Sequence, residues 1–529
     1  VLECENIRLS YVDEFVEDLT PIAHLKVLGK LSLPPMQPKA HFAHHKELDT
    51  FKDHPMNNCR FVNPGNPKEN CLDAMGKNGK HKIEMAPWLE DLVKSTDFMI
   101  FQLKKYKSRY TSPVTERKNY IGMMTHEEAL FYMDLDTSSG FPKSQPKSEW
   151  LAQFHPDSLR IFWDALTTGN MTDAIPVWSN CTKEEPRDKS KVARSFMASN
   201  IFHTYVGIRL FGHFHEFYHD LNVFPGFTTG TSTFSGELWR VIKRIKPHSS
   251  KSKLIHYDAK NYDVQAMNSA ILDSCKRIRA ALIDGINMVA LDWYYDNIHK
   301  RLVVTAGRHL VEVENTQPSG SQTTMVDNDL GHKLWLCCVY LRVIGFLHPD
   351  FFKSVATFSD DGVAYMDEGF LDHLPFPVTA HTCDMSKDNP NLEVEFLGKT
   401  FVENKGMVFP VPVYLGKFLS SLAYCRSGAW RDYYSKLCSL RTMWYFSPTE
   451  IVLHKDFLGI PKGESVKIIN IIECVIKYIM FHYSDEIPVQ SMNQYFTPHQ
   501  IEVMFTGFEP RKAYLGSHLH NEAINVLFN

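Results

Sequence analysis

Four groups of residues in this chain have side chains whose type and spacing could do chemistry. Asp258-x4-Asp263 starts at the end of KLIHYD (253–258), and Asp360-Asp361 lie in FSDDG (358–362) between two β-type runs. Ser319-Gly320-x3-Thr324-x3-Asn328 leads from a Gly-containing loop into an apolar helix. Thr324 and Asn328 then share one helix face and can offer a hydroxyl and an amide to the same ligand. Lys183-x3-Arg187-x3-Lys191-x2-Arg194 spaces cations among Glu184, Glu185 and Asp188, as a triphosphate clamp would, with Arg as a bidentate fork and Lys as a point charge. Singly, each group has an ordinary reading: a solvated strand-end Asp, an Asp pair favoured by a turn, a loop feeding a helix, a salt-bridged surface. Together they ask for more. Three carboxylates brought close repel one another unless a divalent cation neutralises them, and hard oxygen ligands select Mg2+ or Mn2+.

Such groups need a scaffold that sets strand ends beside a helix face. Residues 253–258 read as a strand delivering Asp258, followed by a helix over 265–283. Residues 302–313 (LVVTAGRHLVEV) read as a hairpin turning at Ala306-Gly307, and 353–366 as a second hairpin with both carboxylates at its tip. NTQPSGSQ (315–322) feeds a long apolar helix over 323–346. Upstream, helices are expected over 86–107, over 126–133 with Thr125 and Glu128 as a capping box, and over 200–221. The aromatic residues of 205–227 read as core rather than as a base-stacking surface. Residues 30–80 and 226–235 read as loop, and the chain beyond Pro410 and Pro412 as a helical lobe.

Composition bounds the rest. At roughly 100–200 residues per domain, 529 residues allow three domains or one large multi-lobed enzyme. A charged fraction of 22% with 12% aromatic residues excludes disorder, collagen and coiled coil as the main state. The net charge of −4 excludes a uniformly basic nucleic-acid binder, but not a protein that separates a basic channel from an acidic centre. The 11 cysteines include no C-x-x-C pair, which points to reduced thiols in a cytosol-like compartment. The apolar stretches 335–347 and 466–481 are interrupted by charges and fall short of the ~20 residues of a membrane span. His41, His44, His45, Cys59 and Cys71 match no tight zinc spacing. Val1-Leu2-Glu3-Cys4 resembles neither a signal peptide nor an initiator start, so a piece cut from a longer chain is expected.

The order of the four groups is itself informative. It resembles that of the RNA-dependent RNA polymerases of positive-strand RNA viruses, most of all the picornavirus-like group. The counterparts of that family's motifs F, A, B, C, D and E are KEEPRDKSKVAR, YDAKNYD, PSGSQTTMVDN, FSDDG, the segment around Lys387, and FLGKTF (396–401). DLDTSSGFP (134–142) is similar to the family's D-L-S-T-S-A-G-Y-P element, and LPPMQPKAHF (33–42) sits where the family has a Pro-rich stretch. The likeness extends over residues 30 to 405, and the C-terminal part fits by position only.

The resemblance implies an α+β right-hand fold, with fingers, a palm of antiparallel sheet packed on helices, and a helical thumb. Residues 1–180 would be the N-terminal fingers with the fingertips, 181–250 fingers and palm with the basic motif, 251–405 the palm, and 406–529 the thumb. Asp258 and Asp360, with Asp361 in support, would hold two Mg2+ or Mn2+ ions. Asp263 and Asn328, with Ser319 or Thr324, would bind the ribose, and Lys183, Arg187 and Arg194 the triphosphate. Lys191 and Lys189 stay alternatives for a further cation, and Lys387 would be the general acid. Lys243 and Arg244, from an acid-free basic run over 240–253, and Lys399 would contact RNA.

The implied partners are template and nascent RNA, ribonucleoside triphosphates, and a protein primer or other viral replication proteins. The implied setting is a replication complex in the host cytoplasm, with the chain cut from a polyprotein. Three departures stand out: Ser359 replaces the usual Gly of Gly-Asp-Asp, as in nidovirus polymerases; the basic segment is shorter; and Gly398-Lys399 stands where Lys-Arg is frequent. Two other readings compete, a reverse transcriptase and a catalytically silent RNA-binding scaffold.

Overall fold

The computed structural model describes residues 15–16, 22, 24–31, 41–66, 75–76, 82–113, 115–233, 236–383, 393–404 and 406–506. Its centre is a five-stranded sheet built from β1 (Gly226–Phe227), β2 (Lys253–Ala259), β3 (Val355–Phe358), β4 (Asp361–Met366) and β5 (Val378–Thr382), in the order β5-β2-β4-β3-β1. All pairings are antiparallel except β3 with β1. Alternation along β2 sorts its side chains between two cores. Ile255, Tyr257 and Ala259 face the main helical core, while Leu254 joins a smaller apolar cluster on the other face, the face that also carries His256 and Asp258.

The helical face explains most of the sequence pattern. The helices that pack there include α1 (Leu89–Lys107), α2 (Ile201–Asp220), α3 (Ser269–Leu282) and α4 (Thr324–Ile344). Helix α4 is buried around nearly its whole circumference from Val326 to Tyr340, which is why it reads as apolar without a clean polar stripe. It stops at Gly345, whose φ of +89° is the left-handed cap that glycine takes without strain. Asn200 and Asn268 cap α2 and α3 by accepting backbone N–H bonds, and Thr125 with Glu128 forms the expected capping box on His126–Tyr132. Each fully buried large side chain here, such as Phe211 or Trp335, stabilises the fold by roughly 1.5–3 kcal/mol.

A second, six-stranded sheet runs Phe15–Val16, Lys26–Leu31, His309–Glu314, Lys300–Val304, Trp178–Thr182, Ser195–Ala198. The 302–313 hairpin is therefore one step of a larger sheet. Residues 41–61, read as loop from their Pro, Asn and His content, contain two short strands with distant partners. Phe42–His44 pairs with Tyr424–Arg426, and Cys59–Phe61 pairs with Pro186–Asp188. Leu48 and Phe51 bury in the C-terminal core with α5 (Trp430–Trp444) and α6 (Ile468–His482), so this segment straps the C-terminal lobe to the basic segment. Residues 226–227, also read as loop, form the edge strand β1. The boundary expected at 405/406 falls inside a hairpin, Lys399–Asn404 with Met407–Pro412, and the one at 180/181 inside the strand Trp178–Thr182. No helix among the described residues is long and apolar enough to cross a membrane.

Candidate active site

The sheet brings the acidic groups together. Asp258 and Asp361 are directly opposed partners of the antiparallel β2–β4 pair, which sets their Cβ atoms about 4.5–5.5 Å apart on one face. Asp360 occupies the tip of the β3–β4 turn, behind Ser359 at a φ of +59°. Burial and the neighbouring Asp360 and Asp258 push the Asp361 carboxyl up to about 7. The Asp258 carboxyl is raised by the protein around it and by Asp360, with Lys191 and Lys260 pulling the other way. Such mutual repulsion is what a cation would relieve.

Among the described residues no three acidic, His or Cys groups form a ready-made metal cage. The carboxylate oxygens nevertheless suit Mg2+, which completes its shell with water and substrate phosphates rather than with a full set of protein ligands. Asp258, Asp360 and Asp361 are the residues that could hold it.

Beside them lies a polar set on the loop before α4. Ser319 Oγ donates to Asp263 Oδ2 at 3.1 Å, and Gln317 N donates to the Asp263 carbonyl at 3.0 Å. Burial raises the Asp263 carboxyl, and the bond from Ser319 opposes this. Asn328 Nδ2 donates to Ser359 Oγ at 3.2 Å, joining the helix to the carboxylate turn. Thr324 Oγ1 donates back to the Pro318 carbonyl at 2.7 Å, so its hydroxyl fastens the loop, while Ser319 is the hydroxyl beside Asp263. Gly320 is required by a close approach: a Cβ there would meet Met197 O at 2.1 Å. Through this contact the loop abuts the strand Ser195–Ala198 that follows Arg194.

The basic segment faces this cleft. Arg194 acts electrostatically on Asp263, and Lys191 on Asp258. That separates the two candidate lysines. Lys189 Nζ is held by the Asn57 carbonyl at 2.8 Å, whereas exposed Lys191 is felt by the carboxylates. Lys183 and Arg194 both lean on Glu185, at 3.3 and 3.8 Å. Arg187 Nε donates to Val192 O at 3.1 Å, bracing the turn that presents Lys191.

Three further expected contributors lie on other elements. Lys243 and Arg244 lie on a helix, Glu237–Arg244, that packs through Leu238, Val241 and Ile242 on the smaller core. Arg244 donates inward to the Asn222 carbonyl at 2.9 Å. The run's far end is tied down where Ser249 and Ser252 donate to Asp367, beside the Lys253–Met366 pair. At ~3.3 Å per residue this is about 17 Å along β2 from Asp258. Lys399 is only 8% exposed, and burial lowers its ammonium to about 8. Lys387 lies outside the described residues.

Other residues enter that the sequence did not single out. His332, one turn beyond Asn328, bridges Ser359 O and the Tyr257 hydroxyl at 2.8 Å each; burial lowers its imidazole to about 4. The Tyr257 ring crosses Gly362, where a Cβ would lie 2.2 Å from the ring, so the residue after the Asp pair has no room for a side chain. The helical spacing of Asn328 and His332 was the available signal. Glu395 and Lys417 act on Asp361 with opposite signs from beyond residue 390, and nothing in their local sequence announces it. Arg301, fully buried, donates to Ile298 O, Thr316 O and Thr316 Oγ1 and so anchors the start of the Ser319 loop.

The family model described as viral RNA-dependent RNA polymerase matches residues 81–449. The chain belongs to that family, and its activity is that of an RNA-directed RNA polymerase, a nucleotidyltransferase of viral replication. No curated protein matches it by sequence similarity.

Proposed function

We propose that this polymerase extends an RNA 3′-hydroxyl on an RNA template by a two-metal mechanism, and that it belongs to the picornavirus-like group. The five-stranded sheet with its helices would be the palm, the lobe around α5 and α6 the thumb, and the preceding lobe the fingers. The observation that carries the reading is the opposed Asp258–Asp361 pair beside Asp360, with Lys191 and Arg194 acting on the same cleft.

Asp258, Asp360 and Asp361 would hold the ions. When bound, two Mg2+ or Mn2+ ions supply Lewis-acid stabilisation of the attacking and leaving oxygens. Lys191 and Arg194, with Lys183 and Arg187, neutralise the triphosphate. Asp263, Ser319 and Asn328 hydrogen-bond the ribose hydroxyls, and a deoxyribose leaves those groups unpaired. This polar set also disfavours reverse transcription. Lys387 is assigned proton donation to pyrophosphate by its place in the motif order alone. Lys243, Arg244 and Lys399 are left out of RNA contact for the packing reasons above.

Template and nascent RNA are the macromolecular partners of this reading, with a protein primer or other replication proteins at replication complexes in the host cytoplasm. Primer extension with purified protein tests it. Ribonucleotides should be incorporated on an RNA template in Mg2+ or Mn2+, deoxyribonucleotides poorly, and Asp360→Ala should abolish the reaction. Full activity in that variant would sink the metal assignment.

A further inference from the structure

Ser359 is the feature of the carboxylate turn that the catalytic reading leaves unused. Its backbone sits at a φ of +59°, a conformation that glycine takes without strain and that costs a serine roughly 1 kcal/mol. A residue kept against such a preference needs a reason in its side chain, and the hydroxyl supplies one. Ser359 Oγ accepts from Asn328 Nδ2 at 3.2 Å.

The consequence falls on the other end of the same amide. Asn328 is 7% exposed, and among the described residues its buried Oδ1 has no hydrogen-bond partner. A buried carbonyl oxygen without a donor is unfavourable, and it is satisfied when a ligand hydroxyl arrives. The bond from one Nδ2 hydrogen to Ser359 fixes which way round the amide sits, so its oxygen stays at the partnerless position. That acceptor is the atom a ligand hydroxyl would satisfy. The anchor is itself fixed: Ser359 O contacts His332 Nδ1 at 2.8 Å, and His332 Nε2 contacts the Tyr257 hydroxyl at 2.8 Å. The backbone of Asn328 is held by the Tyr262 hydroxyl, which donates to its carbonyl at 2.9 Å. Every support of the amide except the Ser359 bond would survive loss of the Ser359 hydroxyl.

We propose that Ser359 is a positioning residue for sugar selection: its hydroxyl holds the Asn328 amide so that Oδ1 accepts a hydrogen bond from the ribose 2′-hydroxyl of the incoming nucleotide. This rests on the reading of Asn328 as a ribose contact. The turn thus serves two purposes, with its carboxylates acting at the reacting phosphate and the residue before them setting which sugar is accepted.

The chain offers a clean test, because glycine suits the backbone of position 359 better than serine does. Ser359→Gly removes the hydroxyl and relieves the turn, and Ser359→Ala removes the hydroxyl and keeps the turn. The readout is the ratio of kcat/KM for a ribonucleoside triphosphate to that for its 2′-deoxy analogue, in single-nucleotide primer extension on RNA. Both variants should lower that ratio by about fivefold, the size of one hydrogen bond. The loss should appear mainly in the ribonucleotide KM. A change in turn stability alone would scale both nucleotides together and leave the ratio fixed.

Asn328→Ala separates the two levels. If it lowers the ratio while Ser359→Gly and Ser359→Ala leave it unchanged, the role of Ser359 is overturned and the ribose contact stands. If Asn328→Ala leaves the ratio unchanged, the ribose assignment itself falls, and this proposal with it. In the Asn328→Ala background, Ser359→Gly should add nothing further; an independent, additive loss would show that Ser359 acts on the sugar by another route.

Discussion

Two basic segments of this chain look alike in sequence and have opposite fates. Residues 183–194 carry Lys183, Arg187, Lys189, Lys191 and Arg194 mixed with acids, while residues 240–253 carry six cations with none. On charge alone the second is the better candidate for binding phosphate. The structure anchors the two in different ways. The first segment holds one short strand, Pro186–Asp188, between turns, and is pinned by the strap at Cys59–Phe61, so that Lys191 and Arg194 act on Asp258 and Asp263. The second begins as a helix whose apolar face is buried, and it ends tied to Asp367 at the far end of β2. Local charge density therefore says little about function until the direction in which a segment is anchored is known. The acids in the first segment are part of its anchoring: Glu185 holds Lys183 and Arg194, and Glu184 accepts from the backbone of His41 and Phe42.

The contrast can be broken by mutation. The double variant Lys191→Ala with Arg194→Ala should lower kcat/KM for nucleotide by about 10³-fold, as two charge-assisted hydrogen bonds of roughly 2 kcal/mol each would. Steady-state extension at fixed template measures it, and a change under threefold would remove the segment from the clamp.

Acidification sharpens the comparison by acting on basic groups that the fold keeps uncharged. Burial lowers His203 to about 3 and His219 and His332 to about 4, against 6.5 unfolded. Below pH 6.5 the unfolded chain binds protons that the folded chain refuses. This stability is therefore complete above pH 6.5 and is lost as pH falls toward 4, by up to ~1.4 kcal/mol per unit for each histidine. Asp220, raised to about 6 by burial, offsets part of the loss. Urea midpoints measured from pH 7 to pH 5 should fall, and a flat profile would contradict the buried neutral state.

Arg244→Ala should cost about 1–2 kcal/mol of stability through the lost Asn222 bond, read as a lower Tm, with nucleotide kinetics unchanged. The smallest effect belongs to Lys243→Ala and Lys251→Ala. Each should change stability by less than ~0.5 kcal/mol and leave the salt dependence of RNA binding as it was. A flatter salt slope in either variant would return the second segment to the RNA path.

Much of the framework around the site was legible. The Thr125–Glu128 box, the hairpin around Asp360-Asp361, and the helices now seen as α1, α2 and α4 all follow from local periodicity and capping, which act within a few residues. The strands at Phe42–His44 and Cys59–Phe61 were not legible, because each is only three residues long and is made a strand by a partner far along the chain. The helix Glu237–Arg244 was read as a charge run for the converse reason. Its apolar positions Leu238, Val241, Ile242 and Ile245 carry the signal, and the cations between them mask it.

The sequence by itself determined the identity and order of the chemical groups: the acids at 258, 263, 360 and 361, the Ser-Gly loop with Asn328, and the local elements that carry them. Tertiary structure alone decided which of these meet. Register across β2 and β4 puts Asp258 opposite Asp361, the close approach of Gly320 to Met197 docks the Ser319 loop on the strand that follows Arg194, and packing brings Lys191 to Asp258 while the end of the other cationic segment is tied beside the Lys253–Met366 pair. The physical reason is range. Propensity and capping are set by neighbours in the chain, whereas strand register, burial and charge proximity depend on residues tens to hundreds of positions apart.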